Sequence, residues 1–155
     1  MPLTKLETST NVSVTWRIES PPSRVWACLT DAHLLSQWLG DLVEGAVRPG
    51  AVFVIDHGGD YRCRSTVVEH AEPEALAFTW SFPDEPDSEV LFDLYGTLDA
   101  TQLSLRHKGL GDLAASYRDG WCVHLSYLEA AALGAPLPRA MFWCLHGTIS
   151  QLNVR

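Results

Sequence analysis

The apolar residues of this chain change their spacing once, and that change constrains the fold more than any other feature. From Ala51 to Lys108 they alternate with polar residues, the period of two that places one face of a strand in a core. Val12, Val14, Trp16 and Ile18 do the same near the start. Beyond Asp112 the step becomes three or four, through Leu113, Tyr117, Trp121, Leu125, Leu128 and Ala132. That is the apolar stripe of one long helix. A sheet must bury a face, and only this helix is long enough to cover it. The pattern predicts an α+β domain: one antiparallel sheet, with a helix from about Asp112 to Leu133 across its concave face.

Turn residues divide the rest. Pro21 and Pro22 end the first strand, and Ser23 is placed to cap a helix carrying Val25, Trp26 and Leu29. Asp31 is placed to cap a second short helix with Leu34, Leu35, Trp38 and Leu39, stopped by Gly40. Arg48-Pro49-Gly50 suits a tight turn. Strands Ala51–Asp56 and Tyr61–Glu69 flank His57-Gly58-Gly59-Asp60, a hairpin signal. Ala75–Phe82 follows, then an acidic loop over Pro83–Asp87, then Glu89–Tyr95 and Gln102–Lys108 around a turn near Asp99. Asp112 is placed to cap the long helix, Gly134 to end it, and Pro136 and Pro138 to prevent its resumption.

Composition limits the function classes. A chain of 155 residues is a comfortable single domain. Its formal charge of −8 argues against nucleic acid, which needs a basic face. The N-terminus lacks the apolar run of a secretory signal, and no stretch approaches the roughly 18 apolar residues of a membrane span. Cys28, Cys63, Cys122 and Cys144 are widely separated and read as buried, reduced thiols of a cytoplasmic protein rather than a zinc site. No glycine-rich phosphate loop, Gly-x-Ser-x-Gly elbow or His-Glu-x-x-His run is present, so no cofactor or metal is expected.

Three segments carry a resemblance: PPSRVWACLTDAHLLSQWLG (Pro21–Gly40), LAFTWSF (Leu76–Phe82) and YRDGWCVHLSYLEAAAL (Tyr117–Leu133). Their order resembles the START-like (SRPBCC) superfamily and, within it, the family of homologues of the activator of heat-shock-protein-90 ATPase, over residues 10–138. The resemblance implies a helix-grip fold, with two short N-terminal helices and a curved antiparallel sheet wrapped around the long C-terminal helix. Residues 1–138 then form the domain and 139–155 a C-terminal extension. It also implies a cavity between sheet and helix that binds a small apolar or amphipathic ligand without catalysis. Two alternatives stand beside this: a co-chaperone-like domain in a stress response, contacting a chaperone or another protein, and a START-like cyclase or hydrolase using His107.

The ligand-binding residues expected on this basis are Trp38, Phe53, Cys63, Trp80, Phe92, His107, Tyr117, Trp121, His124 and Leu125. For the tryptophans, core filling is the competing reading, foremost for Trp16, Trp26 and Trp38. His107 continues the inward alternation of Leu103 and Leu105; Asp93 and Asp112 are candidate orienting partners, and a structural imidazole is the alternative. Asp56-His57 is read as part of a hairpin loop, and His33, His70 and His146 lack supporting context. In the tail, Met141, Phe142, Trp143 and Leu145 form an apolar cluster. It either folds back on the domain or meets a second subunit, as in a homodimer, with Phe142 or Trp143 mostly buried.

Overall fold

A computed structural model describes residues 1–154. Strands β1 (Leu3–Thr8) and β2 (Val12–Ile18) lead into helices α1 (Pro22–Thr30) and α2 (Ala32–Leu35). Six strands follow: β3 (Asp41–Gly45), β4 (Val52–Asp56), β5 (Arg62–Ala71), β6 (Ala75–Trp80), β7 (Ser88–Gly96) and β8 (Thr101–Lys108). A 3-10 turn at Gly111–Leu113 opens α3 (Ala114–Ala132), and another at Arg139–Met141 opens α4 (Phe142–Asn153). The strands form one sheet of eight in the order β1-β2-β8-β7-β6-β5-β4-β3. All neighbours are antiparallel.

Register explains the core. Phe92 lies opposite Leu105, Leu94 opposite Leu103, and Ile55 opposite Cys63. Because side-chain direction repeats every two residues, these pairs fall on one face. All six are buried beneath α3 together with Phe53. Trp121, Leu125 and Leu128 of α3 are buried against them, as the helical stripe requires. This is the helix-grip architecture with its long C-terminal helix and short N-terminal helices.

The edge strands carry no alternation that sequence could reveal. β1 is mostly exposed, and β3 buries no residue fully. The helix ends also differ in part from expectation. Asp31 caps α2 by accepting from the Leu34 amide at 3.1 Å. Ser23 and Asp112 do not cap; Pro21 and Leu113 occupy those positions without a side-chain bond. At the other end of α3 the Arg24 guanidinium donates to the Ala131 and Ala132 carbonyls at 3.0 and 3.3 Å. A cation there satisfies carbonyls that the helix leaves open. Gly134 supplies the left-handed turn (φ +77) that ends the helix.

The thiols divide rather than sharing one environment. Cys28 and Cys63 are buried, Cys122 is half-buried and Cys144 is exposed, so the expectation of four buried cysteines holds for half of them.

The tail forms α4, whose residues are all exposed or half-buried. It lies on the outer side of α3, fixed at both ends by polar contacts. Tyr127 Oη donates to the Pro138 carbonyl at 2.6 Å, and Arg139 pairs with Asp41 at 2.8 Å. At the far end Asn153 donates to Asp119 at 2.8 Å. Asp119 is also held by Arg118 at 3.0 Å. Burial works against its charge, but these donors outweigh burial and hold its carboxyl below the usual range.

Candidate functional site

A pocket of about 600 Å³ opens at the junction of α3, α4, the turn after α2, the β4–β5 hairpin and the acidic loop after β6. Each wall follows from a local feature. The turn after α2 delivers Trp38 and Gly40, with Trp38 Nε1 fixed to the Cys28 carbonyl at 2.7 Å. β6 delivers Trp80, and Phe82 follows it at the same inward parity. Tyr117, Trp121 and His124 share one face of α3 at helical spacing. α4 covers the mouth with Phe142, Trp143 and His146.

Of the ten residues expected to bind a ligand, Trp38, Trp80, Tyr117, Trp121 and His124 line this pocket. Phe53, Cys63, Phe92, His107 and Leu125 do not; they are buried away from its wall. The pocket is bounded by Trp80 of the sheet and by Tyr117, Trp121 and His124 of α3, under the tail.

His107 shows why parity alone misleads. It is 0% exposed, and both ring nitrogens are engaged. Trp121 Nε1, which can only donate, gives its proton to Nδ1 at 3.0 Å. The neutral ring therefore carries its own proton on Nε2 and donates it to Ser88 Oγ at 2.7 Å. Ser88 passes a bond on to the Trp80 carbonyl at 3.5 Å. Burial lowers the His107 pKa to about 3, so the ring stays neutral in this network. Neither Asp93 nor Asp112 orients it.

Two other imidazoles occupy the pocket wall. His124 Nδ1 lies 2.9 Å from the Trp38 carbonyl, an acceptor only, so Nδ1 carries the proton and Nε2 is left as an acceptor. Its ring lies 4.5 Å from Phe142 and 5.5 Å from Trp121 between centroids. Burial moves its pKa down to about 4. His57 lies in the β4–β5 hairpin loop, as its neighbouring glycines predict, and it also continues the inward alternation of Phe53 and Ile55. It packs 5.4 Å from Trp80, 5.3 Å from Phe82 and 6.1 Å from His124. Its Nε2 is shut off from solvent and meets no hydrogen-bonding partner. Burial, then the neighbouring His124, moves its pKa down to about 3.

The polar end is built around Glu85 of the acidic loop, a residue that no motif or periodicity singles out. Tyr117 Oη donates to Glu85 Oε1 at 2.5 Å and accepts from Trp80 Nε1 at 2.9 Å. Tyr61 Oη lies 3.3 Å from Glu85 Oε2 and 2.9 Å from Asp84, with its ring stacked on Phe82 at 4.1 Å. Burial, reinforced by these carboxylates, raises both tyrosine pKa values, so both hydroxyls remain donors. Among the described residues no group of three His, Cys, Asp or Glu side chains is placed to hold a metal ion.

Known proteins share this frame. CalU16 from Micromonospora echinospora superposes with a TM-score of 0.78 at 22% identity, covering 98% of this chain and 96% of that one. DynU16, a protein in the dynemicin biosynthetic locus, superposes at 0.74 with 26% identity over 83% of this chain, which spans 49% of DynU16. The Aha1 dimer from Colwellia psychrerythraea superposes at 0.68 with 20% identity, covering 79% of this chain and 95% of that one. No curated protein matches the chain significantly. Residues 19–132, from the end of β2 through α3, match the family described as "Activator of Hsp90 ATPase homolog 1-like protein". With that match spanning most of the helix-grip frame, the chain belongs to the Activator of Hsp90 ATPase homolog 1-like family.

Proposed function

We propose that this protein binds a small apolar or amphipathic molecule in the pocket beneath α4, and that it does so without catalysing a reaction. The observation that carries the reading is the pocket itself: about 600 Å³, walled mainly by aromatic side chains, with a few convergent polar groups. Volumes of roughly 300–1,000 Å³ with such walls suit drug-sized ligands. The unpartnered Nε2 of His57 supports it, because buried polar atoms rarely lack a partner. Residues 1–138 then form the binding domain, and the extension 139–155 provides its roof. The likeness to DynU16 adds weight, since a biosynthetic locus is a setting of small-molecule chemistry.

Catalysis through His107 has little support, because a substrate would have to break the contact between α3 and the sheet to reach it. A second reading, protein contact, rests on α4. Trp143, Leu145 and Leu152 are exposed on a helix that carries no Asp, Glu, Lys or Arg from Phe142 to Asn153. Such a surface suits a second subunit or another protein partner such as a chaperone.

Titration with the neutral probe 1-naphthalenemethanol, followed by calorimetry, tests the binding reading. Saturable binding that weakens at least about tenfold in Phe142→Ala and Trp143→Ala, with truncation of each ring losing contact area, is the expected result. Affinity unchanged from the wild type in both variants would overturn it, as would the absence of binding by this alcohol and by its amine and carboxylate counterparts.

A further inference from the structure

The charges around the pocket are unevenly answered. Glu85 is a half-buried carboxylate in its wall and takes part in no ion pair among the described residues. Its hydrogen bonds come from neutral donors, Tyr117 and Tyr61. Two oxygens offer about four acceptor sites, so two hydroxyls leave capacity for further donors. The one arginine in the wall, Arg139, is already paired with Asp41 at 2.8 Å. The imidazoles of His57 and His124 stay neutral at physiological pH, because burial lowers both. Asp84 and Asp87 flank Glu85 in the loop, and the whole chain carries −8.

A pocket with aromatic walls and one uncompensated carboxylate favours cations for two reasons. A charge-assisted bond to a carboxylate is stronger than a neutral one. Aromatic faces attract cations and repel anions through their quadrupole. We infer that the pocket selects a positively charged ligand, an amine carried on an aromatic or other apolar body, with its cationic end at Glu85 beside Tyr117 and its apolar end toward Phe142 and Trp143. The inference rests on the binding reading above and adds the ligand's charge to it.

Three naphthalene probes of one size separate the possibilities: 1-naphthylmethylamine, 1-naphthalenemethanol and 1-naphthoate, titrated at pH 7. The amine is expected to bind at least about tenfold more tightly than the alcohol, and the carboxylate most weakly. Raising the salt concentration should narrow the gap. Glu85→Gln, which keeps the shape and one of the two acceptor oxygens, should bring amine and alcohol to equal affinity. If the alcohol binds as well as the amine to the wild-type protein, the charge inference falls and the binding reading stands. A preference that survives in a folded Glu85→Gln variant overturns the assignment to Glu85. If none of the three probes binds, both fall. Should the variant fail to fold, the wild-type comparison and its salt dependence decide.

Discussion

Trp121 donates its indole proton to His107 Nδ1 across 3.0 Å, joining the middle of the long helix to strand β8 inside the core. This bond converts a candidate reacting imidazole into a structural one. Removing the ring should therefore destabilise the fold while leaving the pocket intact. We expect His107→Ala to cost about 2–4 kcal/mol, from a lost buried hydrogen-bond network and the cavity left behind. Probe affinity of the folded variant should change less than about twofold, a difference worth under 0.5 kcal/mol. Denaturant unfolding and calorimetry read the two quantities. A stable variant that has lost affinity would mean that the imidazole meets the ligand.

The same burial makes stability fall in acid. His107 and His57 have pKa values lowered to about 3 and His124 to about 4, while an unfolded histidine titrates near 6.5. Between those limits the unfolded chain binds more protons, so stability rises with pH and is fully present above about 6.5. As pH falls below that value it declines, by up to about 1.4 kcal/mol per pH unit for each such histidine. The melting temperature should therefore drop between pH 7 and pH 4.5, and less steeply in His107→Gln than in the wild type. A flat profile over that range would contradict the placement of all three rings.

Gly40 lies where the pocket wall meets β4. A Cβ there would stand 2.5 Å from the Asp56 carbonyl oxygen and 2.6 Å from an Ile55 methyl group. Backbone cannot yield as a flexible side chain does, so Gly40→Ala should destabilise the protein by about 1–3 kcal/mol. Thermal unfolding checks this; an unchanged melting temperature would show that the β3–β4 edge moves freely.

Deleting residues 139–155 separates the two roles of the tail. α4 buries no residue fully and contacts the domain through Phe142, Ile149 and a few polar bonds. The truncated domain should remain folded, with a melting temperature within a few degrees of the full chain, as a loss of about 1 kcal/mol implies. Affinity for 1-naphthalenemethanol should fall by at least about tenfold, because the roof is gone. Unchanged affinity would show that the tail is no part of the site.

Much of the frame was legible because periodicity reports which way a residue faces. It placed Phe53, Ile55, Phe92 and Leu105 on one inner face, and it identified the stripe of α3. Periodicity does not report volume, which is why it could not separate the inward residues that line the pocket, such as Trp80 and Trp121, from Phe53, Phe92 and Leu125, which do not. Trp80 and Trp121 illustrate the difference: both face inward, and both line the pocket, yet Trp121 is only 1% exposed and is held by His107. Glu85 and His57 were hidden for another reason. Loop residues acquire their surroundings from distant segments, here Tyr117 from α3 and His124 beside the hairpin, and spacing along the chain carries no trace of that. The apolar cluster of the tail predicts that Phe142 or Trp143 is mostly buried, and Phe142 is: it packs against the core and His124, while Trp143 remains 65% exposed at the pocket mouth.

The most direct test of the pocket is to watch the indole N–H signals in a nitrogen–proton correlation spectrum while 1-naphthylmethylamine is added. The six tryptophans divide cleanly: Trp38, Trp80, Trp121 and Trp143 line the pocket, whereas Trp16 and Trp26 lie elsewhere in the fold. The account predicts saturable shifts at Trp80 and Trp143, with Trp16 and Trp26 unmoved. Shifts confined to Trp16 or Trp26, or no shift at any indole, would contradict it.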